Sequence, residues 1–425
     1  EWTAQALDPY IERLDSWPRY RVPQQKEFND AVWGTLTLHP LEVVILDSPI
    51  LQRLRFVSQL GVVHFVYPTA GHTRLEHSLG AMHIVDRLIT AMNEASHDEA
   101  GTIKVPLRRL VRLAALCHDV GPGLMSHVSE NALREVDAVE DLVRDFQSEH
   151  GDNKRLGEIN SALILGAPAF ATLIQMAEEL TGDKIPAQGV ADKVRSLVLG
   201  ECIDPARPTI QELISGPFDA DKLDYMTRDA RMSGVPVVTD VNRLVQKARS
   251  TSVATADLPP DVARPLKINH RQTTVVITGI AQSGNRTLDE LTLGRTLLFD
   301  KIYRHQKVRS SERMVASIFR QIEQLYTDGE ADWKLAVIPL LMTDDEIQNL
   351  DRHWPTILKE PEADEEQRAA AVARDLSAAL RNRYLWVRCA AFSMRMTGDP
   401  YDVDPGHLNG LSSLIRELGD AAVVR

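Results

Sequence analysis

The chain has 425 residues, of which 44% are hydrophobic and 25% are charged, and its formal net charge is −12. This length and hydrophobic content suffice for a large core, and the acidic balance argues against a protein that coats nucleic acid through a broad basic face. Aromatic residues make up only 5% of the chain, while Ala, Leu, Arg and Glu, which favour helices, dominate many segments. The composition therefore favours a helical protein.

Hydrophobic periodicity divides the chain into a succession of predicted helices. They cover residues 48–61, 74–95, 105–121, 126–140, 158–165, 169–181, 218–235, 293–326 and 368–392. The stretch 61–73 is predicted to be an extended loop. A cluster of Thr, Val and Ile before a Gly within 267–279 is the one convincing strand candidate. The predicted fold is mostly α: a multi-helix core with a minor β element and a helical C-terminal region.

The cysteines and the hydropathy indicate the compartment. Cys117, Cys202 and Cys389 stand far apart and form no Cys-x-x-Cys pair. This pattern argues against a disulfide scaffold and a structural zinc site, and it is typical of reduced intracellular thiols. No apolar run reaches the roughly 18 residues that a membrane-spanning helix needs. We therefore expect a cytoplasmic protein that does not contact a membrane.

The stretch LCHDVGPGLMSHVSE, residues 116–130, concentrates groups that bind metals or move protons. His118 and Asp119 end one predicted helix, His77 lies on another, and Asp221 begins a third. Each side chain offers a lone pair, although an adjacent His-Asp pair alone is more often an ordinary surface or capping feature. Two imidazoles and two carboxylates suit Mg, Mn, Fe, Co, Ni or Zn rather than a thiolate-bound ion. The pattern therefore indicates a divalent metal site.

Three stretches in one order carry a family resemblance. They are HPLEVVILDSPILQRLRFVSQLGVVHFVYPTAGHTRLEHSLG, then HDVG with SHVSE, then DADKLDYMTRDA. Together they resemble the HD-domain phosphohydrolases, and most of all the SAM- and HD-domain and bacterial dGTPase-like dNTP triphosphohydrolases. The resemblance runs from about Gly34 to Ser250, with a weaker echo through LLFDKIYRHQKVRSSE, and so covers over half the chain. Several spaced motifs in a fixed order are far more specific than any one of them.

The resemblance implies a division of the chain and a reaction. The implied divisions are an N-terminal segment (1–32), an HD-domain core (33–325) and a helical C-terminal region (326–425). The implied reaction uses a divalent metal ion to convert a dNTP and water into deoxynucleoside and triphosphate. Such an enzyme serves nucleotide-pool control or phage defence. Relatives of this group are commonly homo-oligomers with nucleotide effectors, and a regulatory partner protein is a further expectation.

The resemblance also implies roles for individual residues. The metal ligands fall on His77, His118, Asp119 and Asp221. The substrate-binding residues fall on Arg74, Lys222, Tyr225, Asp229 and His305. The proton-transfer residues fall on His127 and Glu130, because a hydrogen-bonded His-carboxylate pair can protonate a leaving oxygen or orient an attacking water. The basic cluster around His305 is equally well interpreted as an exposed charged helix face.

Two departures from the family pattern leave other functions open. Pro122 stands where many relatives have a His after HDVG, and Gly157 stands where they have a second active-site His. Both losses affect proton transfer and leave metal binding intact. One alternative is an HD phosphodiesterase or nuclease that acts on oligonucleotides, since a fold alone does not choose the reaction. The other is a catalytically weak nucleotide-sensing regulator.

Overall fold

The computed structural model describes residues 2–15, 24–96, 99–134, 137–151, 154–237, 239–263, 266, 273–326 and 338–387. Residues Glu1–Leu385 form one compact unit. The described helices are α1 (Trp2–Asp15), α2 (Pro40–Leu46), α3 (Pro49–Gln52), α4 (Arg74–Ala95), α5 (Val105–Cys117), α6 (His127–Leu133), α7 (Asp137–His150), α8 (Leu156–Leu165), α9 (Pro168–Thr181), α10 (Val190–Val198), α11 (Ala220–Ser233), α12 (Val241–Gln246), α13 (Pro260–Ala263), α14 (Asn285–Leu298), α15 (Gln306–Glu323), α16 (Asp344–Gln348) and α17 (Asp364–Arg381). The predicted mostly α fold is confirmed.

The described strands form two small antiparallel sheets. Strand β1 (Lys26–Asp30) pairs with β2 (Gly34–Leu38), and β3 (Ala248–Ala254) pairs with β4 (Thr274–Ile280). The strand predicted within 267–279 corresponds to β4, while residues 267–272 lie outside the described part of the chain. The polar sequence ARSTSVA of β3 carries little strand signal of its own, so its conformation depends on pairing with β4.

Three helix ends meet where the predicted metal ligands lie, because α4 packs against both α5 and α11. Thr73 and Glu76 form a capping box that begins α4. Helix α5 ends with His118 as its C-cap residue, just before the breaker sequence GPG. Asp219 caps α11 by accepting the backbone N–H of Lys222. These caps fix the ends of the helices that carry the ionisable side chains.

Several predicted helices are divided in the structure. The helix predicted over 48–61 consists of α3 and a 3-10 turn, Arg53–Phe56. The helix predicted over 293–326 is α14, a π turn at Phe299–Tyr303, and α15. The break occurs because the imidazole of His305 accepts the backbone N–H of Lys307 and so caps a new helix. Here a local side-chain hydrogen bond ends one helix and begins another, although the sequence has continuous helical periodicity.

Helices on both sides of the predicted boundary at residue 325 pack together. Helix α15, which precedes it, contacts α17, which follows it, and also contacts α6. The three predicted divisions of the chain stay predictions. Within the described ranges, no single helix is long and apolar enough to cross a membrane; α8 and α9 together, bent by 56°, pass the same test by length and composition.

Candidate metal centre and substrate site

The four predicted metal ligands lie together at the helix ends. Ligand atoms of His77, His118 and Asp119 all lie within 4.8 Å of one another, so these side chains form a possible site for one metal ion. The two imidazole centres are 5.1 Å apart. Oδ1 of Asp221 lies 3.0 Å from Nε2 of His77 and 3.9 Å from Nε2 of His118. Residues far apart in sequence therefore converge on one point.

Each imidazole directs its Nε2 atom at this point because its Nδ1 atom is held by an acceptor. Nδ1 of His77 lies 2.8 Å from a carboxylate oxygen of Asp224, and Nδ1 of His118 lies 2.7 Å from the carbonyl oxygen of Ala115. Both oxygens can only accept, so each Nδ1 carries hydrogen. Nε2 of His118 is buried without a hydrogen-bond partner among the described residues, and Nε2 of His77 faces the carboxylate of Asp221. Two such nitrogen donors beside carboxylates fit a divalent ion.

The carboxylates also create a strong preference for positive charge at this point. Burial disfavours the charged form of His77, yet Asp221 and Asp224 outweigh burial and raise the pKa of His77 to about 10. Burial likewise disfavours ionised Asp221, but His77 holds the pKa of Asp221 below its ordinary value. A divalent ion held by these residues would supply the positive charge that the carboxylates favour, in place of the imidazole proton.

Asp224 is a site residue that the sequence analysis missed. Its fully buried carboxylate accepts hydrogen bonds from His77, from Trp33 and, through two atoms, from Arg228. Arg228 also donates to Asp30 at 2.8 Å. Burial works against the ionised form of Asp224, but Arg228 outweighs it and lowers the pKa of Asp224 to about 2. The available sequence signal was the i,i+4 spacing of Asp224 and Arg228.

Arg74 lies against the cluster of predicted metal ligands and is only 2% exposed. Its Nη1 atom donates to the carboxylate of Asp119, and its Nε atom donates to Oγ of Ser126 at 2.8 Å. Burial disfavours ionised Asp119, but Arg74 and His118 hold the pKa of Asp119 below its ordinary value. Nη2 of Arg74 is buried with no hydrogen-bond partner in the described ranges. The guanidinium therefore has a donor available at the edge of the cluster.

His127 and Glu130 contact each other on the first turn of α6. Nδ1 of His127 lies 3.3 Å from Oε2 of Glu130, and the His127 side chain is 56% exposed while Glu130 is buried. Burial disfavours ionised Glu130, but His127 holds the pKa of Glu130 below its ordinary value. A buried carboxylate thus orients an accessible imidazole, which is the geometry expected of a proton-transfer pair.

The two departures from the family pattern lie beside this pair. A Cβ atom added to Gly157 would lie 2.4 Å from Oε1 of Glu130 and 3.0 Å from Cγ of Pro122. Oε1 of Glu130 is buried, and it has no hydrogen-bond partner in the part of the chain that the structure describes. The Glu130 side chain therefore occupies space that a side chain at position 157 would need. The sequence alone did not indicate that Gly157 lies beside both Glu130 and Pro122.

Two predicted substrate-binding residues of α11, Asp229 and Tyr225, have side-chain hydrogen-bond partners from other parts of the described structure. Oδ1 of Asp229 lies 2.9 Å from Nε2 of His72, and its Oδ2 accepts a hydrogen bond from the hydroxyl of Tyr303 at 2.5 Å. The hydroxyl of Tyr225 accepts a hydrogen bond from Arg295 at 3.3 Å. The sequence analysis did not single out Tyr303 or Arg295, because nothing in the local pattern indicated that α14 and the π turn reach α11.

Two other predicted substrate residues have protein partners. Nζ of Lys222 donates to Asp219 at 2.6 Å and to the carbonyl of Gly216 at 2.8 Å. His305 caps α15 through its Nδ1 atom, which accepts the N–H of Lys307 at 3.2 Å. This cap is a structural role for His305. Its contact with substrate stays a prediction.

A cavity of about 440 Å³ adjoins α11 on the side of Lys222. Basic and aromatic side chains share its wall: Lys222, Arg295, Arg304, Phe218 and Phe299. The guanidinium of Arg295 lies 5.2 Å from the ring centre of Phe299, within the range of a cation–π contact. This volume is typical of a small-molecule site, and its cations and rings suit an anion that carries an aromatic group.

The mostly helical fold and the His-His-Asp cluster are consistent with the HD-domain class, and comparison with curated proteins confirms the resemblance. No model of a known protein family matches the chain. The chain is similar to the deoxynucleoside triphosphate triphosphohydrolase SAMHD1 of Bos taurus, with 29% identity over 238 residues, which cover 54% of this chain and 39% of the relative. The SAMHD1 of Danio rerio is 31% identical over 242 residues, which cover 54% of this chain and 37% of the relative.

A viral relative extends the similarity over more of the chain. An HD domain-containing protein of Acanthamoeba polyphaga mimivirus is 24% identical over 318 residues, which cover 72% of this chain and 60% of the relative. The chain spans less than two-fifths of the length of the two SAMHD1 relatives. The comparisons therefore confirm the resemblance that the sequence motifs indicated. That this chain shares the activity of the whole relatives is a proposal.

Proposed function

We propose that this chain is a metal-dependent dNTP triphosphohydrolase, which converts a dNTP and water into deoxynucleoside and triphosphate. The observation that carries the proposal is the pair of buried Nε2 atoms of His77 and His118, which face Asp119 and Asp221. The names of the SAMHD1 relatives support the substrate class.

The metal site would consist of four protein ligands. His77, His118, Asp119 and Asp221 would hold the ion, and Asp224 keeps the ring of His77 in the orientation that binding requires. Their nitrogen and oxygen donors suit Mg, Mn, Fe, Co, Ni or Zn. When bound, such an ion polarises a phosphoryl oxygen and lowers the pKa of a coordinated water.

Cationic side chains would neutralise the triphosphate, which matters because the protein as a whole carries a charge of −12. The unused Nη2 donor of Arg74 supports its role as the phosphate contact, since a guanidinium binds phosphate oxygens in a fixed geometry. Lys222 lines the cavity beside α11 and would contact the same chain of phosphates. His305 is proposed to add a further cationic or hydrogen-bonding contact.

Tyr225 and Asp229 would contact the deoxyribose, with Asp229 held in place by His72 and Tyr303. His127 would give its proton to the leaving oxygen of the deoxynucleoside, because its ring is accessible while Glu130 holds its Nδ1 atom. A homo-oligomer controlled by a nucleotide effector or a partner protein belongs to the same proposal, on the strength of the resemblance alone.

A nucleotide-sensing regulator with weak catalysis is the second candidate. The observation that favours it is that Gly157 lies beside both Glu130 and Pro122, since neither Gly157 nor Pro122 can donate or accept a proton through a side chain. A sensor of this kind would bind dNTP tightly and release product slowly or not at all.

The test is a product analysis by chromatography. The protein is incubated with each dNTP in turn and with all four, in Mg, Mn or Co, beside the double variant His118→Ala/Asp119→Ala. The exposed His353 provides a control, His353→Ala. We expect the wild type and the control to release deoxynucleoside and triphosphate in a 1:1 ratio. We expect the double variant to release neither. Tight nucleotide binding without product in any mixture would favour the sensor. A parallel incubation with single-stranded oligonucleotides tests the nuclease, which cleavage of the oligonucleotides without dNTP hydrolysis would favour.

A further inference from the structure

Two consecutive residues just before His127 have a backbone conformation that is rare outside glycine. Met125 has φ +51° and Ser126 has φ +56°. Side chains with a Cβ atom are strained in this region, and such residues persist only where the surrounding structure fixes them. The turn formed by Met125 and Ser126 sets the start of α6 and therefore the position of His127 and Glu130.

Asp344, at the start of α16, holds this turn. Its Oδ1 atom accepts the backbone N–H of Met125 at 2.5 Å, and its Oδ2 atom accepts the backbone N–H of Ser58 at 2.8 Å. The residue is 8% exposed, so both hydrogen bonds are shielded from water. One carboxylate thus joins two segments that are 67 residues apart in the sequence.

The segment that precedes α16 packs against the same loop. The carbonyl of Pro339 accepts the backbone N–H of Leu124 at 2.9 Å. A Cβ atom on Gly123 would lie 2.4 Å from Cβ of Pro339, so the close approach depends on glycine at position 123. The loop from Gly123 to Ser126 is therefore shaped by residues that the sequence analysis placed outside the core.

The two segments that Asp344 joins both lead to site residues. The carbonyl of Val57 accepts the backbone N–H of Arg74 at 2.9 Å. The hydroxyl of Ser126 donates to the carbonyl of Ser58 at 2.5 Å and accepts a hydrogen bond from Nε of Arg74 at 2.8 Å. A displacement of the turn would therefore move Arg74 as well as the start of α6.

We propose that Asp344 is a positioning residue: it fixes the strained turn at Met125 and Ser126 and thereby aligns His127 and Arg74 with the substrate. The kinetic part of this inference rests on the proposed dNTP hydrolysis, while the structural part does not. It makes the region around α16 a component of the active site, although Asp344 contacts neither the metal ligands nor the cavity in the described residues.

The variant that tests this role is Asp344→Asn, with Asp345→Asn as the matched control. Asparagine has nearly the same shape but offers one acceptor instead of two, so its NH₂ group must face one of the two backbone N–H donors. Asp345 is the exposed neighbour on the same helix. Gly123→Ala is a second variant, because its methyl group would push Pro339 away from the loop while Asp344 keeps its carboxylate.

The first measurement is amide hydrogen exchange followed by mass spectrometry. In Asp344→Asn and in Gly123→Ala, the peptide that contains Met125 should exchange about tenfold faster than in Asp345→Asn. The peptide that contains Ser58 should exchange faster in Asp344→Asn. Exchange equal to that of the control in both variants would refute the structural role, whatever the activity.

The second measurement separates positioning from folding. Asp344→Asn should lower kcat/KM about tenfold, and the fall should be smaller when His127 is already replaced by Ala, because only the contribution through Arg74 then remains. If Asp344→Asn exchanges faster but has the same kcat/KM as Asp345→Asn, the positioning role is refuted. If the wild type hydrolyses no dNTP, the proposed function fails, and the exchange result alone decides whether Asp344 holds the turn.

Discussion

This chain can bind a metal ion only if the Nε2 atoms of two imidazole rings point at the candidate site. Hydrogen bonds to the Nδ1 atoms of the same rings set that direction. Asp224 holds Nδ1 of His77, and the carbonyl of Ala115 holds Nδ1 of His118. Both Nε2 atoms consequently face the carboxylates of Asp119 and Asp221. Residues that contact metal-binding histidines in this way raise the basicity of the ligand and fix its tautomer.

The role of Asp224 predicts a specific loss of metal affinity. Asp224→Asn should weaken Mn²⁺ binding about tenfold, because the neutral amide is a poorer acceptor for Nδ1 of His77. Isothermal titration calorimetry of the metal-free protein would measure it. Asp30→Asn is the matched control, since it also removes a carboxylate from Arg228 but does not contact His77. Equal losses in both variants would mean that the Arg228 network, rather than the hydrogen bond to His77, determines affinity.

Gly157 supports a second prediction at the residue scale. In Gly157→Ala the new methyl group would meet Oε1 of Glu130 at 2.4 Å, and this buried carboxylate would have to move away from His127. The expected result is a fall in kcat of about tenfold, with metal affinity unchanged. Gly279→Ala is the control, because nothing lies within 4 Å of a Cβ at that position. Full activity in Gly157→Ala would exclude Glu130 from proton transfer.

At the scale of elements, a buried ion network joins the helices that carry the metal ligands. Arg112 of α5 donates two hydrogen bonds to Glu42 of α2, both at 2.7 Å, and lies 3.0 Å from Asp86 of α4. Arg112 and Glu42 are each 4% exposed. Burial disfavours ionised Asp86, but Arg108 and Arg112 hold the pKa of Asp86 below its ordinary value. The network therefore sets the spacing of α4 and α5.

Removing the central cation should be costly. Arg112→Met would leave the carboxylate of Glu42 buried without its partner, so the free energy of unfolding should fall by about 3–5 kcal/mol. Arg108→Met on the same helix removes a half-exposed partner of Asp86 and should cost less than about 1 kcal/mol. Urea unfolding followed by circular dichroism would compare them. A small effect of Arg112→Met would show that the helices are spaced by apolar packing alone.

At the scale of the whole molecule, the candidate metal site joins α4, α5 and α11, so an ion bound there should stabilise the folded chain against unfolding. A ligand that binds only the native state, at 100 times its Kd, adds about 2.7 kcal/mol. Removal of metal by a chelator should therefore lower Tm, and Mn²⁺ should restore it.

Differential scanning calorimetry of three proteins would check this expectation. The Mn²⁺-dependent rise in Tm should be present in the wild type and in His353→Ala, and absent in His118→Ala. A rise that persists in His118→Ala would place the stabilising ion elsewhere in the protein.

Much of this protein could be read from local patterns, because helical periodicity and short motifs depend on neighbouring residues. The sequence predicted α4, α5 and α11 and their ionisable residues. The structure places His77, His118, Asp119 and Asp221 close together, and their role as metal ligands stays a prediction. Periodicity did not predict the break before α15, where the capping hydrogen bond of His305 interrupts a long apolar pattern.

The sequence by itself determined the helical class and the chemical types present at the metal site. Only the tertiary structure decided which acceptors orient the imidazoles, that Gly157 lies beside Glu130 and Pro122, and that Asp344 reaches the turn before His127. Apart from the local contact of His118 with Ala115, these contacts join residues of different elements, and their geometry depends on how the helices pack rather than on any local pattern. Packing therefore converts a recognisable set of residues into an oriented site.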